Sequence, residues 1–190
     1  DSKHTLPIAE NLLARNFTPE APNRVWTSDI TYIATDEGWL FLTAVIDLFS
    51  RQVVGWSMSP HMQTSAVTDA LRMAWFRRRP EPGLIFHSDR GSQYCSHAFQ
   101  DALKEYKMKS SMSRKGNCWD NAPTESLWGR LKVGRLYGRT FATRRDAMDE
   151  VISWLTFYNH KRLHPTLGHV SPMTFEQRWN AAQQQDRMSA

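Results

Sequence analysis

Val25-Trp26-Thr27-Ser28-Asp29-Ile30-Thr31-Tyr32-Ile33-Ala34-Thr35, followed by Asp36-Glu37-Gly38 and then Trp39-Leu40-Phe41-Leu42-Thr43-Ala44-Val45-Ile46-Asp47, is the stretch that decides the fold. The first run is rich in β-branched and aromatic residues, which suit a pleated, half-buried surface. The second is apolar over the eight residues Trp39 to Ile46, as expected of a strand covered on both faces. Asp36-Glu37-Gly38 is short enough for a hairpin connection, as is the Phe49-Ser50 region that leads to a third run. That third run, Arg51 to Ser59, alternates and is expected to place Val54, Trp56 and Met58 on one face. Three antiparallel strands in succession follow.

Outward from this unit the period changes. Thr64 to Arg79 carries Ala66, Val67, Ala70, Leu71, Ala74 and Trp75 on a helical stripe, stopped by Pro80 and Pro82. Gly83 to Ser88 reads as a short apolar strand, Ser96 to Tyr106 as a helix, and Lys107 to Ser113 as a fifth strand. A loop at Lys115-Gly116-Asn117 precedes a helix that should start near Trp119 to Ala122, with Pro123 in its first turn, and run to about Tyr137. Further helices are expected over Thr143 to His160 and Ser171 to Gln184. In the other direction, residues 1–24 carry Pro7, Pro19 and Pro22 and read as an N-terminal arm or linker. The order is β-β-β-α-β-α-β-α with extra helices, an α/β fold with a five-stranded mixed sheet flanked by helices. This is the ribonuclease H-like order, with a catalytic-type core expected over 25–140 and a helical C-terminal extension of the same domain over 141–190.

The 190 residues hold 24 Lys and Arg against 19 Asp and Glu, a net charge of +5. A 41% hydrophobic content with 8 Trp, 9 Phe and 5 Tyr is enough for a core, which excludes disorder for most of the length. An apolar run of eight residues is far short of the roughly 20 needed to span a bilayer. No charged-then-apolar leader is visible, and an opening on Asp1 rather than Met reads as a fragment boundary. Cys95 and Cys118 are too few for a disulfide framework, so a cytoplasmic setting is expected. With His87 and His97 they also lack zinc spacing. The charge is uneven: Lys104 to Arg139 holds nine basic residues and three acids. With Arg77-Arg78-Arg79, this clustering suits a polyphosphate partner, although a solvated helix face would look the same.

Three acids fall where a sheet of this order would gather them. Asp29 lies mid-strand among apolar and hydroxyl neighbours, where an ionised carboxylate is costly unless hydrogen-bonded or metal-bound. Asp89 lies at the carboxyl end of the fourth strand, the usual place for sites in open α/β sheets. Glu125 lies in the first turns of the later helix. Each has an ordinary alternative, as a hydrogen-bonded strand acid, a turn residue and a helix N-terminal charge. Asp47 closes a strand before a turn and reads as structural. Three convergent carboxylates suit two Mg²⁺ ions about 3.5–4 Å apart, which can orient a nucleophile and stabilise a leaving oxygen at phosphorus.

With these acids in place, the chain resembles the integrase-type catalytic core of bacterial insertion-sequence transposases, closest to insertion sequence family three. The resemblance covers about residues 23–175. It rests on Asn23 to Tyr32, His87 to Tyr94, Ser111 to Asn117, Asn121 to Ser126, and Tyr158-Asn159 through Arg162, His164, Leu167-Gly168 and Ser171-Pro172. The 35 residues between Asp89 and Glu125 match that family's Asp-Asp-(35)-Glu signature. The resemblance implies that Asp29, Asp89 and Glu125 are the catalytic ligands of two Mg²⁺ (or Mn²⁺) ions. It further implies nicking at the ends of the element and transfer of the freed 3′-OH into target DNA, with no covalent protein–DNA intermediate. Lys132, seven residues after Glu125 and within about 20° of it around a helix, is implied to contact terminal DNA. Arg114, Lys115, Arg130 and Arg135 are further expected DNA contacts, and a homodimer or higher assembly is expected on DNA. Neither the family's helix-turn-helix nor the His-His-Cys-Cys zinc module of retroviral integrases is legible in these residues. Two other readings stay open: a nuclease of the same fold that only hydrolyses, and a catalytically silent DNA-binding regulatory fragment.

Overall fold

The expected hairpin is realised over its full length. β1 (Val25–Thr35) pairs antiparallel with β2 (Gly38–Asp47), from Trp26 opposite Asp47 to Thr35 opposite Gly38. Gly38 takes φ +106° at the turn, a conformation that side chains rarely adopt. The computed structural model describes residues 4–14, 16–114 and 121–189. β3 (Val53–Ser59) pairs antiparallel with β2, and β4 (Ile85–Ser88) and β5 (Lys109–Met112) add parallel strands on the far side of β1. The sheet order is β3-β2-β1-β4-β5, the five-stranded mixed sheet expected from the sequence.

The helices are α1 (Thr64–Arg78), α2 (Ser92–Cys95), α3 (His97–Glu105), α4 (Ala122–Leu131), α5 (Arg144–His160) and α6 (Pro172–Met188). α1 and α3 cover one face of the sheet, burying Val67, Leu71, Phe99 and Leu103 against Trp26, Val45 and Phe86. α4 and α5 cover the other, burying Leu127, Leu131, Val151 and Leu155 against Leu40, Leu42 and Ile46. β2 is accordingly buried along most of its length, as its apolar run requires. Thr143 caps α5 with a reciprocal capping box to Asp146.

Two expectations are corrected. Val54 does not share a face with Trp56 and Met58. Val53 pairs with Ile46 and Gly55 with Val45, so Val54 is an extra residue in a β-bulge and turns to the α1 side. The helix expected to run to Tyr137 ends as α-helix at Leu131 and continues as a wider π-helical turn over Lys132–Leu136. The bulge also brings Gly55 against α1. A Cβ there would stand 2.3 Å from the Ala70 carbonyl oxygen and 2.7 Å from the Ala74 nitrogen.

The segment before β1 is laid against the sheet. Leu13 is buried with Val25 and Leu48. The Leu12 N–H donates to Ser111 Oγ at 2.9 Å, and the Met112 N–H reaches the Glu10 carbonyl at 3.3 Å. Asp47 is structural, as expected. It accepts from the Asn23 N–H (2.8 Å), the Phe49 N–H (3.0 Å) and Arg78 (3.3 Å). Arg78 also pairs with the buried Glu176 of α6, which accepts from Ser50. Arg78 is thus committed to the interior rather than to a basic patch. Neighbouring Arg79 lies over the Trp75 ring at 3.9 Å. Among the described residues, no helix is long and apolar enough to cross a membrane.

Candidate active site

The strand register carries the first two acids together. β1 and β4 run parallel with Thr27 beside His87. Two residues further along each strand stand Asp29 and Asp89, past the end of β4. Alternation then sends Thr27 and Asp29 to the same face, and α4 meets both. Thr27 Oγ1 donates to Asn121 Oδ1 at 2.8 Å, and the Trp128 indole N–H donates to Asp29 Oδ2 at 2.9 Å. Asn121, Glu125 and Trp128 are spaced i, i+4, i+7, one stripe of a helix. Glu125 therefore sits between two anchors that hold α4 on β1, with its side chain exposed.

The electrostatics agree with this placement. The Asp29 carboxyl is pushed up to about 6, first by burial and then by the charge of Asp89, with Glu125 adding a smaller push; hydrogen bonds from the Ile30 N–H and Trp128 oppose them. Asp89 is fixed by the Gly91 N–H, which donates to its Oδ1 at 2.8 Å. Arg90 turns away to the Ser113 carbonyl at 2.7 Å. On the opposite face of β1, Ser28 shares a 2.8 Å hydrogen bond with the fully buried Tyr94 hydroxyl. Burial and Asp29 hold that phenol well above its usual range, so it stays protonated.

The donor set is all oxygen, the preference of Mg²⁺ and Mn²⁺, and the mutual repulsion that raises Asp29 is what a divalent cation would relieve. In these respects the residues fit such an ion. The three carboxylates do not form a closed ligand cage: among the described residues no group of three His, Cys, Asp or Glu side chains stands close enough to hold a metal. Cys95 is buried with its Sγ 3.6 Å from Met112 Sδ, and His87 Nδ1 meets Ser111 Oγ at 2.9 Å; Cys118 lies outside the described residues.

Among the described residues, Lys132, Arg130 and Arg135 have different partners. Lys132 Nζ sits 4.9 Å from the centre of the Tyr32 ring, which packs edge-on against Trp39; both rings are half exposed. Arg130 instead reaches His164 Nδ1 at 3.4 Å. Arg135 is ion-paired with Glu150 of α5, which also holds Arg139 at 2.8 Å. Arg114 follows β5 by two residues, and Lys115 and Trp119 lie outside the described residues. Trp128, the hydrogen-bond partner of Asp29, is absent from the sequence expectations; its i+3 spacing from Glu125 was the available signal.

An acid within β1, a second just past the end of the adjoining parallel strand β4, and a third on the helix pinned across them are the arrangement of a ribonuclease H-like domain of the integrase type. Residues 19–118 and 106–172 each match a family described as "Integrase core domain". The chain belongs to that family. It is 47% identical over 174 residues to the transposase InsF for insertion sequence IS3A of Escherichia coli K12, covering 91% of this chain and 60% of the relative. It is 44% identical over 181 residues to an uncharacterized 31 kDa protein of insertion element IS600 from Shigella sonnei, covering 95% and 66%. The chain thus spans about two thirds or less of the length of these relatives. The fold is that of retroviral integrase cores. The HTLV-2 integrase catalytic core domain in complex with magnesium gives a TM-score of 0.63 at 16% identity, covering 83% of this chain and 98% of that one. A simian T-cell lymphotropic virus intasome structure gives 0.71 at 18%, covering 93% and 60%.

Proposed function

We propose that this chain is the catalytic core of an insertion-sequence transposase of the IS3 type, cutting DNA at the element's ends and joining the freed end to target DNA. The observation that carries this reading is the placement of Asp29 on β1 beside the end of β4, which leads into Asp89, with the Trp128 indole N–H donating to it at 2.9 Å from α4, the helix that carries Glu125. Asp29, Asp89 and Glu125 would hold two Mg²⁺ or Mn²⁺ ions, which when bound polarise the phosphate and lower the pKa of an attacking water. In the first step a water oxygen bonds to phosphorus as the bond to the 3′ oxygen breaks, leaving a 3′-OH. In the second that 3′ oxygen attacks a target phosphorus and displaces another 3′ oxygen, so one phosphodiester replaces another and no external energy is needed. Trp128 holds the Asp29 carboxylate toward α4, and the Gly91 N–H fixes that of Asp89. Lys132, with Arg114 and Lys115, would hold the DNA end, and two or more copies would hold the two ends in one complex in the cytoplasm.

The test is incubation of the protein with Mg²⁺ or Mn²⁺ and a labelled oligonucleotide carrying the native end, scored for nicked and joined products. Asp29→Asn, Asp89→Asn and Glu125→Gln should each abolish both products while leaving DNA binding intact. Joining retained in any one of them removes that acid from the site. Nicking without joining by the parent protein would identify a hydrolytic nuclease instead, and binding without cleavage a regulatory fragment.

A further inference from the structure

The segment from Tyr158 to His164 brings together basic groups that the proposed chemistry leaves unused. Arg51 from the β2–β3 turn, Arg130 of α4, Tyr158 of α5 and His164 line one cavity of about 210 Å³, with Phe17 and Pro123 on its wall. Arg162 is close enough for its charge to act on both Tyr158 and His164. Arg51 Nη2 donates to the Phe17 carbonyl at 2.8 Å. The remaining donors are left over: Arg51 Nη1, Arg162 Nε and His164 Nε2 are buried with no hydrogen-bond partner.

The protonation of His164 follows from its neighbour. Arg130 Nη1 faces His164 Nδ1 at 3.4 Å, and a guanidinium can only donate, so Nδ1 is the acceptor and the ring proton is on Nε2. Burial and the three arginines hold His164 down to about 4, so the ring is neutral at physiological pH. All three orphaned atoms are therefore N–H donors, and His164 itself is only 4% exposed. Among the described residues, no carboxylate lines the cavity. Asp47, whose charge reaches Arg51, already accepts from Asn23, Phe49 and Arg78. Two of these donors belong to side chains that line the cavity, Arg51 and His164, and the third to Arg162, whose charge reaches His164; buried donors without an acceptor are rare in folded proteins and call for one.

The geometry points to an anion site, formed by Arg51, Arg130, Arg162 and His164, that takes one phosphate group. Arginine forks suit phosphate oxygens, and the site needs an acceptor-only ligand. Its position favours a backbone phosphate of bound DNA, a source that rests on the function proposed above. Glu125 and Ser126 are about 100° apart around α4, so one face of that helix meets Asp29 while the next opens on this cavity. A strand lying over Glu125 would pass its mouth within about one helix diameter, ~10 Å. The other source is free inorganic phosphate.

The experiment has two arms, both on the metal-free full chain. In the first, inorganic phosphate is titrated against chloride at matched ionic strength and thermal unfolding is followed. Phosphate should raise the melting temperature of the parent. It should not do so for Arg162→Met or Arg51→Met, two variants used so that one suffices if the other fails to fold by circular dichroism. An equal response in parent and folded variants, or a response to chloride as strong as to phosphate, overturns the site. In the second arm, end-bearing duplexes carry one neutral methylphosphonate at each position in turn. The parent should lose about tenfold in affinity at one position, and Arg162→Met should bind that duplex and the unmodified one alike. A phosphate response with no such position overturns the DNA source in favour of free phosphate. Neither arm needs metal or cleavage, so a failure here is separable from a failure of Asp29, Asp89 and Glu125 to act in catalysis.

Discussion

Replacing Asp29 with Asn in chelator-treated protein should make it more stable near pH 7.5, although the same change abolishes the proposed activity. The Asp29 carboxyl lies at about 6 in the folded chain against 3.8 ordinarily. A carboxyl raised on folding contributes stability that is fully present below pH 3.8 and is lost as pH rises through about 6. Roughly two pH units at about 1.4 kcal/mol each give ~3 kcal/mol lost by neutral pH. Asparagine never ionises, and its carbonyl oxygen still accepts from Trp128. The variant should therefore gain up to ~3 kcal/mol at pH 7.5, or about 6–12 °C in melting temperature for a chain of this size, and only about 0.5 kcal/mol at pH 4. Asp47, also raised to about 6, is common to both proteins and cancels. Mg²⁺ should stabilise the parent and leave the variant nearly unmoved, closing the gap. Thermal unfolding of both proteins at pH 4 and pH 7.5, with and without Mg²⁺, is the assay. An absent gain at pH 7.5, or an equal gain at pH 4, would refute the placement of Asp29 in a buried acidic cluster.

Gly55→Ala should cost about 3 kcal/mol or more, because its Cβ would meet the backbone of α1, at the Ala70 carbonyl and the Ala74 nitrogen, which cannot give way as a side chain would; a urea midpoint within error of the parent would show that α1 can move off the sheet. Arg78→Ala should cost about 3–5 kcal/mol by leaving Asp47 and Glu176 buried without their cation, and adding Glu176→Gln should recover part of that loss in a double-mutant cycle. Lys132→Ala should lower the salt dependence of DNA-end binding by about 0.9 in log–log slope, one phosphate contact. An unchanged slope would reduce Lys132 to packing on Tyr32.

The sheet was legible because its two longest strands carry unambiguous patterns: β-branched and aromatic residues over Val25 to Thr35, and an apolar run over Trp39 to Ile46. Where the sequence misled, the cause is a local loss of period. A bulge adds one residue at Val54 and shifts every later side chain, which alternation alone cannot register. The π-helical turn after Leu131 keeps a helix-like composition while changing its frame. α2 is a single turn, too short to show a period, yet it supplies the Tyr94 that supports Ser28 behind Asp29. The elements that carry the three acids were legible, β1 for Asp29, the end of β4 for Asp89 and α4 for Glu125, whereas the partners that orient the first two, Trp128 and the Gly91 N–H, depend on tertiary contact. The basic residues were the least legible. Their sequence clustering reads as one surface, but folding sends Arg78 into the core, Arg135 to Glu150 and Arg130 to His164.

The segment before β1 has a bearing beyond packing. β5 is only four residues long and ends the sheet, so its outer backbone groups would otherwise be open to pairing with another polypeptide. Glu10, Leu12 and Leu13 occupy part of that rim, and His4 Nε2 lies 2.9 Å from the carbonyl of Arg90, the residue after Asp89. Peeling this strip away would therefore bare an adhesive border and, in the same movement, loosen the loop that aims Asp89, so self-association and misalignment of the acids would arise together.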